Sequence, residues 1–323
     1  MPSFEYESEI GAAVRRELFT TQEVNGITVP RLVKMPGTNG SPPELVLRTY
    51  LQWADGTRTY VDNAEFILME NGERLWLYPP MCNVAPAIFH TWSREDQDDW
   101  INSTPDKSSD EMVSEVKEML KTFVSENLTV HPDSRIDQKS IDILALYIFL
   151  TYVYNHYPSM LYLIVEYEDD KMRDRIVDIL QRLVFRPFRQ RVPSLENTCT
   201  TLHSNGGTLL YDVGVVYLDI DNFCSVMNAG DVRGNNVAIV YHNDWKVELF
   251  CKLNIYGPKV FFFKKPFPKK LRSLGVYMEV ESMPVPKNFK PLDSKQIQKI
   301  CDKLHRVALG YTVKPPFNLG DET

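Results

Sequence analysis

The sequence predicts an α/β fold in which a small antiparallel β module precedes a mostly parallel sheet with flanking helices. In the second part of the chain, short apolar runs such as 160–165 alternate with segments of helical periodicity. That alternation is typical of strands buried on both faces of a parallel sheet. Before residue 95, runs of alternating polarity are separated by Asp55-Gly56 and Asn71-Gly72, which are dipeptides that favour hairpin turns.

The first 95 residues are predicted to form the small β-rich module. Its strands are expected at 44–51, 58–61, 65–69 and 74–78, and none of them carries a catalytic pattern. The polar and acidic segment 96–110 is interpreted as a linker. It leads into a main domain over 111–290, and residues 291–323 are predicted to form a C-terminal helix and tail.

The main domain is predicted to alternate helices with buried strands. Its first helix should begin at a capping box formed by Ser108 and Glu111, and a second, almost entirely apolar helix should begin near Ser140. Because crossover connections between strands imply parallel pairing, the later strands should form one sheet. The strands are expected at 160–165, 207–212, 252–256 and 274–280, and a helix over 171–184 should follow the first of them.

The composition indicates a cytoplasmic globular protein. Of its 323 residues, 43% are hydrophobic and 24% are charged, and no apolar run approaches the roughly 18 residues of a membrane span. The acidic first residues do not resemble a secretory signal. The five cysteines and six histidines are scattered, so we expect no disulfide framework, metal site or cofactor. Since the net charge is -7, any contact with DNA would need a local basic patch.

Five short segments, taken in order, carry a resemblance to a known family. They are Tyr157-Pro158-Ser159 after the apolar helix, then 182–187, 208–212, 227–234 and 256–260. Over about residues 110–283 the chain resembles the helicase-like P-loop ATPase domain (AAA+/superfamily 3-like) of phage, plasmid and mobile-element replication proteins. The resemblance implies a P-loop-ATPase-like sheet that is mostly parallel.

The phosphate-binding loop of that family is degenerate in this chain. The family has G-x-x-x-x-G-K-[ST] after its first strand, where backbone amides, a lysine and a hydroxyl hold a magnesium nucleotide. Here the corresponding segment is 166–174, with Tyr167 and Met172 at the glycine positions, Arg173 at the lysine position and Asp174 at the hydroxyl position. We expect the acidic residues to oppose binding of a triphosphate. They are Glu166, Glu168, Asp169 and Asp170, and Lys171 lies among them.

The second strand of the resemblance has also lost a catalytic residue. Asp212 matches the aspartate that coordinates magnesium in the family. The following position, which holds a glutamate that polarises the attacking water, is Val213. Since valine can neither accept a proton nor orient water, the resemblance implies an ATPase-like core without catalytic activity.

A local basic patch is the candidate contact for single-stranded nucleic acid. Basic residues follow three phenylalanines, Phe261 to Phe263, whose rings could stack on bases. The alternative is a solvated loop beside a buried strand. A second basic group, Arg182, Arg186, Arg189 and Arg191, could contact phosphate, but pairing with the acidic loop over 166–170 is the favoured expectation. The patch consists of Lys264, Lys265, Lys269, Lys270 and Arg272.

These features favour a protein that acts by binding. The leading hypothesis is a non-catalytic accessory or scaffold protein in the replication or maintenance of a phage or mobile element. Its partner would be DNA, another protein or a second copy of the chain, and no membrane is involved. The alternatives are a weakly active ATPase that uses Arg173 and Asp212, and a viral structural or host-interaction protein.

Overall fold

A computed structural model describes most of the chain. The described residues are 13–14, 18–33, 44–77, 92–103, 108–128, 137–191, 198–200, 202–203, 207–214, 220–233, 235, 237–242, 248–264, 275–280 and 289–311.

The N-terminal part forms two small sheets. Its strands are β1 (Ala13–Val14), β2 (Leu18–Thr20), β3 (Val24–Val33), β4 (Glu44–Trp53), β5 (Arg58–Asp62), β6 (Phe66–Leu68) and β7 (Arg74–Leu77). Strands β2-β3-β4-β5 form an antiparallel sheet, and β1-β7-β6 form a three-stranded sheet in which β1 and β7 run parallel. The hairpin predicted at Asp55-Gly56 is confirmed, and Gly56 adopts a φ of 89° there.

One of the two ten-residue N-terminal strands, β3, is absent from the sequence prediction. Its Gly26 and Pro30 resemble strand breakers, but both are paired with β4 in the structure. The ring of Phe19 occupies the space beside Gly26, so that a Cβ there would come within 2.0 Å of the ring. Tertiary packing therefore selects a glycine that a sequence pattern would place in a turn.

The main domain contains the predicted parallel sheet. After the helices α1 (Arg94–Asn102), α2 (Ser109–Leu128) and α3 (Gln138–Val153) come β8 (Tyr162–Tyr167), α4 (Asp170–Leu183), β9 (Pro187–Arg191) and β10 (Thr208–Gly214). They are followed by α5 (Ile220–Ala229), β11 (Val237–His242), β12 (Glu248–Leu253), β13 (Lys259–Lys264), β14 (Gly275–Val280) and α6 (Ser294–Gly310). The sheet order is β14-β8-β13-β10-β9, all parallel, and it confirms the predicted α/β fold class.

One predicted parallel strand is misplaced. The prediction put it at 252–256, but Glu248–Leu253 pairs antiparallel with β11 in a separate hairpin. The parallel strand is β13, in which Phe261, Phe262 and Phe263 are all buried. The apolar run of phenylalanines fits a site between two strands better than the more polar segment before it.

Part of the predicted linker is a helix. Ser93 caps α1, and Trp100 is buried on it. The acidic side chains of α1 have cationic partners, because Arg306 of α6 lies 2.7 Å from Asp96 and 2.5 Å from Asp99. The acidic residues Asp96 and Asp99 therefore hold α1 against α6 through ion pairs. The interpretation of 96–110 as a linker is wrong for residues 96–102, which belong to α1.

Two hydrophobic clusters cover the two faces of the parallel sheet. One contains α2, α3, α4 and α6 and also Leu18, Ile27 and Tyr50 of the N-terminal sheet. Tyr50 contacts Trp92 and Trp100 edge-on, with ring centroids 4.9 and 5.9 Å apart. The other cluster packs α5 against β10 and β13. Within the described residues, none of the helices combines the length and apolarity that a bilayer crossing requires.

Candidate functional site

The candidate site lies where the parallel strands β8, β13 and β10 end. In open α/β sheets, ligands bind outside the carboxyl ends of the strands, at a point where the strand order changes direction. The chain leaves β8, the second strand of this sheet, and returns at the far edge, in β9. Only Glu168 and Asp169 separate β8 from α4, so the N-terminus of α4 lies at the same edge.

Asp169 closes the N-terminus of α4. Its carboxylate accepts hydrogen bonds from the backbone N–H groups of Lys171, at 2.8 Å, and Met172, at 3.0 Å. Those amides are the groups that a helix N-terminus offers to a bound anion. The backbone of Asp169 has a φ of -99° and needs no glycine. The protein's own carboxylate therefore occupies the anion position.

Arg173 crosses the site and pairs with Asp212. Its Nη1 lies 3.3 Å from Oδ2 of Asp212 and donates to the Tyr167 hydroxyl at 3.1 Å. Burial alone would lower the pKa of Arg173. The hydrogen bond to Tyr167 and the charge of Asp212 outweigh it, so the pKa is raised. Arg173 therefore stays charged and is held against the end of β10.

A second arginine reaches the same carboxylate. Arg189 lies on β9, in register with Leu210, and its Nη2 is 3.4 Å from Oδ2 of Asp212. It also lies 3.8 Å from Asp174, which in turn lies 3.0 Å from Arg173. One oxygen of Asp212 is thus shared by two guanidinium groups, as expected for a closed ion-pair network.

Lys264 completes the network from β13. Its Nζ lies 3.0 Å from Oδ2 of Asp170, and Nη1 of Arg173 lies 3.3 Å from the same carboxylate. The hydrogen bond from Lys264 is the main reason why the pKa of Asp170 is lowered. The network, named here the edge network, matches three cations with three carboxylates. It consists of Arg173, Arg189, Lys264, Asp170, Asp174 and Asp212.

Two buried atoms in the edge network have no hydrogen-bond partner within the described part of the chain. They are Oδ1 of Asp212 and Nε of Arg189. The next residue, Val213, is buried and supplies no acid or base. In the same part of the chain, no group of three His, Cys, Asp or Glu side chains is arranged to hold a metal ion. Within the described residues the arrangement neutralises charge, and the position directly after Asp212 offers no group that could activate water.

The four acidic residues predicted to crowd the loop are in fact dispersed. Glu166 lies within β8, buried, in register with Phe263 and Glu279. Glu168 is exposed, Asp169 caps α4 and Asp170 is paired with Lys264. Of these carboxylates, Asp170 is paired with Lys264 and Arg173, and Asp169 is bound by the backbone amides of α4. Part of the predicted negative charge is therefore compensated within the protein, and the prediction that the loop opposes a triphosphate stays a prediction.

The predicted nucleic-acid patch is described only at its first residue. Lys264 belongs to the edge network, and Lys265, Lys269, Lys270 and Arg272 lie outside the described residues. Phe261, Phe262 and Phe263 are at most 4% exposed. The prediction that these rings stack on bases is therefore wrong, because they form the core of the sheet.

Two residues of the second basic group pair with carboxylates outside the predicted loop. Arg182 donates to Asp178 one turn earlier on α4, at 2.9 Å, and Arg189 joins Asp212. The sequence placed Arg189 and Tyr167 near the loop, but it predicted neither the contact of Arg189 with Asp212 nor that of Tyr167 with Arg173. The one available signal for Arg189 was its place in a basic strand next to the strand that ends near Asp212.

Lys259 lies at the other end of β13 and has a structural role. It is fully buried, and its Nζ donates to the carbonyl oxygens of Ile255, at 2.8 Å, and Gly257, at 3.0 Å, and to the Tyr162 hydroxyl, at 3.1 Å. It also lies 4.4 Å from the centroid of the Tyr162 ring. These contacts fix the connection that enters β13.

Comparison with known proteins gives similarity at the level of structure. No protein-family model and no curated protein matches the sequence. The chain is similar to the apo NrS-1 C-terminal region, with 11% identity, a TM-score of 0.40 and coverage of 83% of this chain and 65% of that one. It is also similar to an MCM homolog from Methanopyrus kandleri, with 11% identity, a TM-score of 0.36 and coverage of 92% and 58%.

A third similar structure is the JCV helicase bound to a small molecule, with 14% identity, a TM-score of 0.30 and coverage of 67% of this chain and 63% of that one. The chain spans between 58 and 65% of the lengths of the three proteins. At these TM-scores the likeness carries no functional conclusion for this chain.

Proposed function

We propose that the chain is a non-catalytic, P-loop-ATPase-like accessory or scaffold protein in the replication or maintenance of phage or mobile-element DNA. It acts by binding DNA or a protein partner. The observation that carries the proposal is the ion pair between Arg173 and Asp212, which joins α4 to the end of β10. The resemblance of 110–283 to helicase-like P-loop ATPase domains supplies the biological setting.

Two features of the candidate site oppose nucleotide binding. A phosphate would have to displace Asp169 from the amides of α4. A magnesium ion at Asp212 would have to displace two guanidinium groups from the same oxygen. Breaking a mostly buried ion pair costs on the order of 3–5 kcal/mol, so the bound nucleotide would have to supply that energy before any affinity remained.

The alternative of a weakly active ATPase depends on the same residues. Arg173 would have to contact phosphate and Asp212 would have to ligate magnesium, but Nη1 of Arg173 is already paired with Oδ2 of Asp212. Val213 offers no group that could orient an attacking water. The geometry therefore favours binding over turnover.

Calorimetric titration with magnesium ATP separates the two functions. We expect no saturable binding up to about 1 mM ATP for the wild-type chain, which corresponds to less than about 4 kcal/mol of binding free energy. Asp212→Asn is the diagnostic variant. Asp98→Asn is its matched control, because Asp98 also pairs with an arginine, Arg31, but lies on α1 outside the edge network. Micromolar ATP binding that Asp212→Asn abolishes and Asp98→Asn preserves would refute the proposal.

Fluorescence anisotropy with a single-stranded oligonucleotide at two salt concentrations tests whether the protein binds DNA. The variant Lys265→Glu/Lys269→Glu/Lys270→Glu leaves Lys264 in the edge network. Its control, Lys139→Glu/Lys295→Glu/Lys299→Glu, makes the same charge change at exposed helical positions. We expect affinity to fall with salt and to be lost only in the first variant. Equal loss of affinity in both variants, or no affinity in the wild type, would exclude DNA binding through this patch, and the proposal would then retain only a protein partner.

A further inference from the structure

The strand β5 lies at one end of the four-stranded N-terminal sheet. The sheet order β2-β3-β4-β5 leaves one side of β5, its outer side, without a neighbouring strand. Within the described residues, the backbone groups on that side have no hydrogen-bond partner. Tyr60, in the middle of the strand, is 43% exposed, and Asp62 is exposed as well. A strand with open N–H and C=O groups is a template on which another strand can pair.

The ladder with β4 shows which residues of β5 point outward. The N–H of Trp53 donates to the carbonyl oxygen of Thr57 at 2.9 Å, and hydrogen-bonded pairs alternate with other pairs along an antiparallel ladder. The odd-numbered residues of β5 therefore direct their backbone groups to β4. The even-numbered residues, Arg58, Tyr60 and Asp62, direct theirs outward.

The side chains of these outward residues are held by contacts within the chain. Arg48 of β4 binds Asp62 through two hydrogen bonds of 2.7 Å, and its guanidinium lies 3.9 Å from the centroid of the Tyr60 ring. Arg58 donates from Nη1 to two carbonyl oxygens at the end of α1, both at 2.9 Å. The outer side of β5 is therefore preformed, which keeps the ordering cost of pairing low.

The order of residues along β5 is complementary to itself. When two copies of β5 pair antiparallel with Tyr60 opposite its own copy, Arg58 of each chain faces Asp62 of the other. Opposite charges in facing positions stabilise a strand pair, and the carboxylate keeps lone pairs free beside its bonds to Arg48. Parallel pairing in register would instead bring like charges together. Charges on an edge strand usually discourage pairing, but here they favour one register.

We propose that the outer side of β5 is a two-fold interface at which two copies of this chain join their N-terminal sheets. In this register every outward N–H and C=O group of β5 finds a partner, and the same patch serves on both copies, as a two-fold interface requires. The strand is short compared with the roughly 20–30 residues a side of a standard interface, so the dimer is weak. The interface is independent of the edge network and of the proposed function.

Sedimentation equilibrium of the full chain from about 5 to 500 μM tests the dimer. We expect a reversible monomer–dimer equilibrium with a Kd on the order of tens of micromolar. Tyr60→Pro should weaken it at least about tenfold, because it removes the central outward N–H and no bond to β4. Tyr60→Thr keeps that N–H and is the matched control. It loses only the facing pair of rings and should weaken the dimer less than about fivefold.

A charge reversal tests the complementarity of the two strands. Arg58→Glu places a glutamate opposite Asp62 at both ends of the interface and should weaken the dimer at least about tenfold. Arg94→Glu makes the same charge change at an exposed position on α1 and should dimerise like the wild type.

Oxidative crosslinking tests the register. Residues that face each other in a hydrogen-bonded pair have Cα atoms about 5.5 Å apart, which is within the range of a disulfide. Tyr60→Cys should therefore form a covalent dimer above the background that the five native cysteines give in the wild type. Thr59→Cys would face Val61 of the other copy and not itself, so it should stay at background.

Thermal unfolding checks that each variant is folded. If Tyr60→Pro does not fold, Arg58→Glu and the crosslinking of Tyr60→Cys carry the test. A chain that stays monomeric over the whole concentration range overturns the proposal, and this is also the result expected if β5 pairs only with a strand of another protein. A dimer that neither Tyr60→Pro nor Arg58→Glu weakens overturns it too, as does equal crosslinking of Thr59→Cys and Tyr60→Cys.

Discussion

Replacing Asp212 with asparagine is expected to destabilise the protein. The substitution keeps the shape of the side chain but removes the charge that two guanidinium groups share, at 3.3 and 3.4 Å. A carboxylate kept for a bound cation would behave in the opposite way. Its neutralisation would cost little or would stabilise the fold, as is common at functional sites.

The structure sets the size of the effect. The side chains of Arg173 and Arg189 are only 15% and 21% exposed, so water replaces the lost carboxylate poorly. Removing one partner of a buried pair costs about 3–5 kcal/mol. Asp170 and Asp174 still lie beside Arg173, which places the expected loss near the lower end, at about 3 kcal/mol. For a 323-residue chain that unfolds in one transition, this corresponds to a fall in Tm of about 4 °C.

A double-mutant cycle isolates the pair. Arg173→Met alone should cost about 1.5 kcal/mol, because Arg189 still neutralises Asp212. The double variant Arg173→Met/Asp212→Asn should cost less than the sum of the single variants, with a coupling of about 1–2 kcal/mol. Unfolding in urea, which is uncharged and does not screen ion pairs, should be followed by two spectroscopic probes. Additive costs, or a more stable Asp212→Asn variant, would refute the role given to the edge network.

Three further predictions concern the fold. Gly275→Ala should lower the free energy of unfolding by more than about 3 kcal/mol, because its Cβ would lie 2.0 Å from the carbonyl oxygen of Tyr162. Gly72→Ala has open space around its Cβ and should cost about 1 kcal/mol, because the φ of Gly72 is 82°. The urea midpoints of the two variants test this difference. Since burial lowers the pKa of His156 to about 4, the stability contributed by its neutral ring should be complete above pH 6.5 and be lost as the pH falls toward 4. The free energy of unfolding of the wild type should therefore fall by about 3 kcal/mol more than that of His156→Gln when both are measured from pH 7 to 4. Arg306→Ala should destabilise by about 1–2 kcal/mol, since it frees two carboxylates of α1, and limited proteolysis near α1 should become faster.

The sequence predicted correctly those elements whose local pattern is typical of one structure. Continuous apolar runs predicted β8, β10 and β14, and the capping box predicted the start of α2, where Ser108 and Glu111 are hydrogen-bonded. Strand β3 could not be predicted, because its Gly26 is explained only by the distant ring of Phe19.

The candidate site shows the same division. Its positions followed from the resemblance, which located the segment 166–174 and Asp212. Its pairing did not, because charges from α4, β9, β10 and β13 meet only after the sheet has formed. A carboxylate in a sequence carries no sign of whether a cation will lie beside it, so the ion pairs of Asp170 and Asp212 could not be predicted.

The edge network also constrains where DNA can bind. Its two arginines, Arg173 and Arg189, are 15% and 21% exposed and Lys264 is 40% exposed, whereas the side chains of Asp170 and Asp174 are 54% and 55% exposed. The most exposed side chains at this rim of the site are therefore carboxylates, which would repel the backbone phosphates of DNA at short range. Lys264, the first residue of the predicted nucleic-acid patch, lies at this rim and is already bound to Asp170. For DNA to bind through that patch, the attraction of the remaining lysines and Arg272 would have to exceed the repulsion from the carboxylates at this rim. DNA binding should therefore be weak and steeply dependent on salt, whereas a protein partner with basic side chains would not be repelled.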